Sequence, residues 1–421
     1  MNTVVETTPI LSDILGSLKP EPGLKTDAFN SLEKMGLPSN KSEEYKFTPI
    51  TRALEKNFNF ANSNPQSELN TIDKFAIADV DAHTLVFVNG IFSETLSRYN
   101  QTDLQIKPIT GLEPGFGTLA DYKTDALVAW NTAAWSSGFS IEVNPNTTVN
   151  KPVVFHYIHD TTKAEVKSFI RNIIRVGKSS NLTIIEKQDT VGEQPGFSNI
   201  VTEGFVEENA ALSLFSLQAD NGKRFHFGQT AIMQAHSSRV NSFTLTLDGK
   251  LIRNNLQLIL DGEGIESHMN GLYILHGDTI ADNHTVVDHR KPNSNSNELY
   301  KGVMEDNSKG IFNGKIYVRP DAQKTNAFQS NRNILLSDGA TVNTKPQLEI
   351  WADDVKCSHG CTTGQLDEEA LFYLQTRGIR KETARAMMLY AFAGEVLNTI
   401  AIEPLKNYVD ALISERLHKN F

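Results

Sequence analysis

The sequence predicts a mainly β protein, a parallel β-helix (solenoid) flanked by N-terminal and C-terminal helical domains. Three observations carry this reading. Helical periodicity marks the first 60 or so residues and returns after Asp353-Asp354. Between residues 140 and 350 it is nearly absent, and short runs rich in Val, Ile, Thr and Phe take its place. Within that stretch a loose five-residue pattern recurs: an apolar residue, two variable ones, a polar residue or Gly, then a small residue.

In the N-terminal region Leu11, Ile14 and Leu18 fall at helical spacing, and Asp27 to Met35 forms a second amphipathic stretch, with Pro20 and Pro22 between them. The polar run Asn62-Ser63-Asn64-Pro65-Gln66-Ser67 reads as a linker. A helical domain with its linker is therefore expected over residues 1–70 and the solenoid over 71–355. Strand-like runs include Thr84–Val88, Val153–His156, Leu182–Ile185 and Leu256–Leu260. The recurrent pattern starts at Val176, Val206, Met233, Leu260, Met304, Val318 and Leu336, and its first steps are 30, 27 and 27 residues. Repeats of about 20–50 residues mark stacked arrays, in which each coil buries its apolar face against its neighbours. A helical domain is expected over 356–421: Asp367 caps a helix beginning at Glu368-Glu369, and Gly378 supplies a left-handed stop. A second helix runs from about Lys381 to Ile400, and a third from near Pro404 to near His418.

Composition excludes several classes. The chain has 421 residues, with 50 acidic and 40 basic, for a net charge of −10. A nucleic-acid binder shows a basic excess, and none exists here. No run reaches 18 apolar residues, so no membrane-spanning helix is expected. Two cysteines cannot build a disulfide framework. Met1–Thr7 lacks a basic start followed by an apolar run, so no signal peptide is read there, and a cytoplasmic location is expected. There is no GxxxxGK[ST] phosphate loop: Gly177-Lys178-Ser179 comes nearest, but Asn172 stands where the leading Gly belongs. Neither a GxGxxG fingerprint nor a GxSxG elbow is present. The chain is expected to be no enzyme and to hydrolyse no ATP.

Cys357, His359 and Cys361 are spaced i, i+2 and i+4, which puts all three on one side of an extended segment. Thiolate and imidazole suit zinc, copper and iron–sulfur species. The spacing is not that of a zinc finger, and the competing reading is a pair of buried thiols beside a turn. His284 and His289, with Asp288, form a second group, but their odd separation sends the imidazoles to opposite faces of a straight strand. The helix Glu382–Gly394 is apolar around most of its circumference, with Met387, Met388 and Phe392 among its residues. Such a helix is either buried in its own domain or covered in part by a partner.

Ala352-Asp353-Asp354-Val355-Lys356-Cys357-Ser358-His359-Gly360, followed by Thr363-Gly364-Gln365-Leu366-Asp367-Glu368-Glu369-Ala370-Leu371-Phe372-Tyr373-Leu374, resembles the SufD signature within the SufB/SufD family. Asp282-Asn283-His284-Thr285, Glu298-Leu299-Tyr300-Lys301-Gly302, Gln329–Ser337, Thr344–Ile350 and the N-terminal Glu43-Glu44-Tyr45-Lys46-Phe47-Thr48-Pro49 are similar to the family in the same order. The resemblance implies a right-handed parallel β-helix and a complex with SufB and the ATPase SufC. It implies that the β-helices pair, that the C-terminal helices dock the ATPase through Met387, Met388 and Phe392, and that clusters are assembled at the interface with SufB. Cys357 and His359 match the family's interface pair, expected to hold iron or a transient iron–sulfur cluster, with no tightly bound cofactor. Position 361 is usually Ala in that pattern, so Cys361 is a possible additional thiol. In isolation the chain is expected to be able to form a homodimer. Two other classes remain as alternatives: a β-helix carbohydrate-active enzyme and a zinc-binding interaction module.

Overall fold

The computed structural model describes residues 8–419. Met1–Thr7, where no signal peptide was read, lies outside them. The N-terminal helices are α1 (Pro9–Ser17), α2 (Leu24–Met35) and α3 (Ile50–Asn57), with a short 3-10 turn at Glu43–Tyr45. The chain then runs through β1 (His83–Val88), β2 (Ile91–Phe92), β3 (Gln105–Pro108), α4 (Ala126–Ala134), β4 (Phe139–Val143), β5 (Val153–Asp160), β6 (Val166–Val176), β7 (Asn181–Val191), β8 (Gly196–Val206) and β9 (Ala211–Gln218). It continues through β10 (Arg224–Gln234), β11 (Arg239–Thr246), β12 (Leu251–Leu260), β13 (Glu266–Leu275), β14 (Ile280–His289), β15 (Asn295–Met304), β16 (Lys309–Val318), β17 (Thr325–Leu335), β18 (Thr341–Ile350) and β19 (Val355–Gly364). It closes with α5 (Glu368–Thr376), α6 (Lys381–Leu397) and α7 (Glu403–Lys419).

From β4 onward the strands alternate between two sheets: odd strands join β1 and β2 in a ten-stranded sheet A, and even strands join β3 in a nine-stranded sheet B. All neighbours are parallel except β1–β2 and β3–β4. Asn181 lies beside Ala211, Ala211 beside Arg239, and Arg239 beside Glu266. The chain therefore climbs one coil in about 30 residues, the period seen in the recurrent pattern. That pattern falls at the corners between the sheets, leading from sheet B to sheet A at Val176, Val206, Met233, Leu260 and Val318 and from A to B at Met304 and Leu336. Left-handed residues sit there: Ser179, Asn209, Ser237, Gly264 and Asp306, with φ of 55°, 56°, 54°, 67° and 57°. A short polar side chain or Gly tolerates that conformation, which explains the pattern's polar and small positions.

Three apolar layers hold the molecule. Alternate residues of both sheets point inward and fill the solenoid, as do Phe155, Ile184, Leu258, Met269 and Phe312. The outer face of sheet B, with Phe197, Val201, Phe225 and Phe227, is covered by α1–α4. The outer face of sheet A, with Phe215, Phe243, Leu245 and Ile274, is covered by Leu389, Ala393 and Val396 of α6 and by Leu405, Val409 and Ile413 of α7.

Two features differ from the sequence reading. α4 was not foreseen: eight of its nine residues are buried, so it has no polar face to give it a helical period. Its start is nonetheless chemically marked, since Asp125 accepts from the backbone N–H of Leu127 and Val128. The solenoid also runs past the expected boundary at 355, because β19 pairs residue for residue with β17 as far as Gly364. The helices follow as expected: Asp367 accepts from Glu369 and Ala370 N–H, and Gly378 has φ 85°. Among the described residues no helix is long and apolar enough to cross a membrane.

Candidate functional site

The last coil carries the thiols and the imidazole. On β19, Cys357, His359 and Cys361 lie beside Ala327, Gln329 and Asn331 of β17, all of which are buried inward-facing residues. The three are thus on one face, as their spacing requires, and that face is the interior side of the solenoid. No further strand covers this rung among the described residues, so the interior side meets solvent here. Cys357 is half-buried against the interior cluster, while His359 and Cys361 are exposed.

This geometry limits what the chain can bind alone. At about 3.3 Å per residue, Cys357 and Cys361 are roughly 13 Å apart along the strand, too far to share one metal with bonds of about 2.3 Å. Among the described residues no three His, Cys, Asp or Glu side chains are grouped closely enough to hold a metal ion. Cys357 and His359 can contribute at most part of a coordination shell. A thiolate stabilised by the neighbouring imidazole is also not what the strand provides. Burial pushes the Cys357 thiol up, and only a backbone hydrogen bond from Ala327 opposes it.

Beneath His359 the interior is polar. Glu298 of β15 lies beside Gln329, which lies beside His359. Gln329 Nε2 donates to Glu298 Oε2 at 2.7 Å. Exposed apolar side chains stand near this end: Phe328 (42% exposed) on the outer side of β17, and Ile350 and Trp351 (49% exposed) where β18 finishes. Trp351 stacks on Tyr317 at 6.3 Å, with the Arg319 guanidinium over both rings. Sequence patterning had not marked these residues; their exposure depends on the solenoid ending at this rung.

The second histidine group is divided, as its spacing required. His289 points inward and bonds Ser296 at 2.9 Å. His284 points outward, 2.9 Å from Asp282 and 3.4 Å from Glu44. Arg253 reaches Asp282 at 2.7 Å, Thr48 bonds the same carboxylate, and Lys315 reaches Glu44 at 2.6 Å. Burial pushes Asp282 up, but His284 and Arg253 outweigh it and hold the carboxyl at about 2. The hydrogen bond from His284, helped by Lys315 against burial, brings Glu44 to about 2 as well. This clasp is structural: it fastens the Glu43–Pro49 segment to coils more than two hundred residues later.

On the C-terminal helices, Met387 is 48% exposed, Met388 half-buried, and Phe392 turned towards sheet A. Lys301 Nζ lies 4.7 Å over the Phe392 ring and donates to its backbone carbonyl. The helix is therefore apolar all round because one side packs on the solenoid and part of the other is bare. Phe372 (67% exposed), Tyr373 and Tyr390 extend the bare surface.

The fold is thus a β-solenoid clad by helices on both faces, with short antiparallel strands at one end and a thiol and an imidazole on the last strand at the other. The chain belongs to the SufBD family. The family's core domain, described as SUF system FeS cluster assembly, SufBD core domain, matches residues 158–392, and the SufBD protein N-terminal region matches residues 21–155. The chain is 30% identical over 389 residues to iron-sulfur cluster assembly protein SufD of Escherichia coli (strain K12), covering 92% of this chain and 90% of that one. An iron-sulfur cluster assembly SufBD family protein of Synechocystis sp. is 33% identical over 408 residues, with 92% and 89% covered. SufD of Bacillus subtilis (strain 168) is 27% identical over 294 residues, with 69% and 67% covered. Membership gives the chain a role in iron–sulfur cluster assembly.

Proposed function

We propose that this chain is a non-enzymatic scaffold subunit that pairs its open end with the β-helix of SufB and carries the ATPase SufC on its C-terminal helices. At the shared end Cys357 and His359 lend a thiolate and a neutral imidazole to iron or a nascent iron–sulfur cluster, which is cargo and not a resident cofactor. SufB supplies the remaining ligands. The observation that carries this reading is the place of the two side chains, on the interior face of an unpaired edge strand at the mouth of the solenoid. Binding to iron releases the thiol proton, which explains how a thiol raised by burial still serves as a ligand. Cys361 stands by as an additional thiol. Movement of the ATPase reaches the scaffold as a rigid-body shift of packed elements.

Replacing Cys357 with Ser and His359 with Ala tests the site. The expected result is a complex that assembles normally yet loses iron and acid-labile sulfide; normal metal and sulfide content would overturn the reading. Docking of the ATPase is tested by Phe372→Ser with Met387→Ser, which should abolish its co-purification and leave the melting temperature unchanged. Truncation at Gly364 is a poor substitute, because it strips α6 and α7 from the apolar outer face of sheet A.

A further inference from the structure

The three inward positions of β19 stand over different columns of the solenoid interior. Cys357 stands over Ala327, which offers no polar group. Cys361 stands over Asn331, whose amide is saturated: Nδ2 donates to Tyr273 Oη at 3.1 Å and Tyr300 O at 3.2 Å, and Oδ1 accepts from Asn333 Nδ2 at 2.7 Å. His359 stands over Gln329, and that column is incomplete. The amide Nε2 is committed to Glu298, but Gln329 Oε1 has no donor among the described residues, and neither has Glu298 Oε1. Both side chains are almost fully buried. Gly314 of β16 keeps the space for the amide, since a Cβ there would collide with Gln329 Nε2.

We propose that Gln329 and Glu298 are positioning residues for His359: Gln329 Oε1 accepts the ring N–H that the metal does not use, and Glu298 fixes the amide so that this oxygen faces the mouth. The inference rests on the reading that His359 ligates iron. Neighbouring strands are about 4.8 Å apart, so the His359 ring is the next group in the column. An oxygen accepts and cannot donate, so it selects the tautomer whose proton faces it and leaves the other nitrogen's lone pair for the metal. Ligating histidines generally have their second nitrogen held in this way, and loss of such a partner weakens metal binding about 10–100-fold. The buried carboxyl suits the anchoring role. Burial pushes Glu298 up to about 7 against the nearby Thr285 hydroxyl and the Gln329 amide, so it accepts from the amide without a full buried charge.

The test uses the full chain in complex with its partners and Co2+ as a visible probe. Gln329→Leu should weaken Co2+ binding about 10–100-fold and shift the ligand-field bands. Glu298→Gln, which keeps an acceptor for the amide, should stay close to wild type. The double variant Glu298→Met with Gln329→Leu replaces the pair by apolar groups, keeps the fold, and should match Gln329→Leu. If His359→Ala loses Co2+ while Gln329→Leu and the double variant bind with wild-type affinity and spectrum, the positioning role is wrong and the ligand reading stands. If His359→Ala binds Co2+ like wild type, both fall together.

Discussion

At the N-terminal end of the solenoid the sheets stop on short antiparallel strands, β2 of two residues and β3 of four, the latter ending in Pro108. At the other end β18 and β19 are ten residues long and, among the described residues, unpaired along one side. The N-terminal finish is how a sheet avoids recruiting another chain: short strands, a change of direction, a proline. The C-terminal finish keeps a proline, Pro346 within β18, but its strands are long and parallel to their neighbours, and exposed Phe328, Ile350 and Trp351 stand near it. The early coils are also locked from within. Glu203 accepts from Arg171 Nη2 at 2.8 Å and from the N–H groups of Gly117, Leu119 and Ala120, with both ionic side chains fully buried. The difference is one of edges: the N-terminal end finishes on short antiparallel strands, whereas the C-terminal end leaves two ten-residue edges unpaired among the described residues.

The largest effect should come from breaking the lock at the closed end. Glu203→Ala leaves Arg171 buried without its partner and should cost about 3–5 kcal/mol in urea unfolding. At the open end the cost should move from folding to association. Trp351→Ala should weaken binding of the second β-helix by about 2 kcal/mol in titration calorimetry and leave the chain's own urea midpoint in place. Acid should find the closed interior first. Burial, then Arg224, brings His226 down from 6.5 to about 3. Below about pH 6.5 the unfolded chain takes a proton that the folded chain refuses, so stability falls as pH drops through that window. His226→Gln should flatten this acid limb in melting curves recorded from pH 7 to 4. The smallest effect belongs to Cys361→Ala. The side chain is exposed over a saturated column, so stability should stay within about 0.5 kcal/mol and iron content near wild type.

Sequence pattern disclosed what is local and repeated. The corner residues from Ser179 to Asp306, the Asp367 cap and the Gly378 stop are each set by the conformation of one or two residues, and the one-sided placement of Cys357, His359 and Cys361 follows from strand alternation. It did not disclose α4, whose surroundings are apolar on every side, nor Glu44 beside His284 or Gln329 beneath His359. Those neighbours are brought together by the coil register, and no local periodicity encodes which residue of one coil lies over which of the next. The reach of Phe392 was hidden for the same reason: which side of α6 meets sheet A depends on how the helix docks.

The clasp between the N-terminal segment and the late coils has a consequence for the order of events on the ribosome. Lys315 reaches back to Glu44 across 271 positions, and Lys345 reaches Glu43 across 302. At about 5–20 residues per second, the N-terminal segment emerges roughly a quarter of a minute to a minute before the strands that will hold it. During that interval the outer apolar face of α2 and α3 has only the first coils to rest on. The solenoid must grow strand by strand beneath a flap that is waiting to close, and the clasp can be fastened only after most of the barrel-like stack has formed. A slow folding phase that disappears in a chain lacking Glu43 and Glu44 would be its kinetic trace.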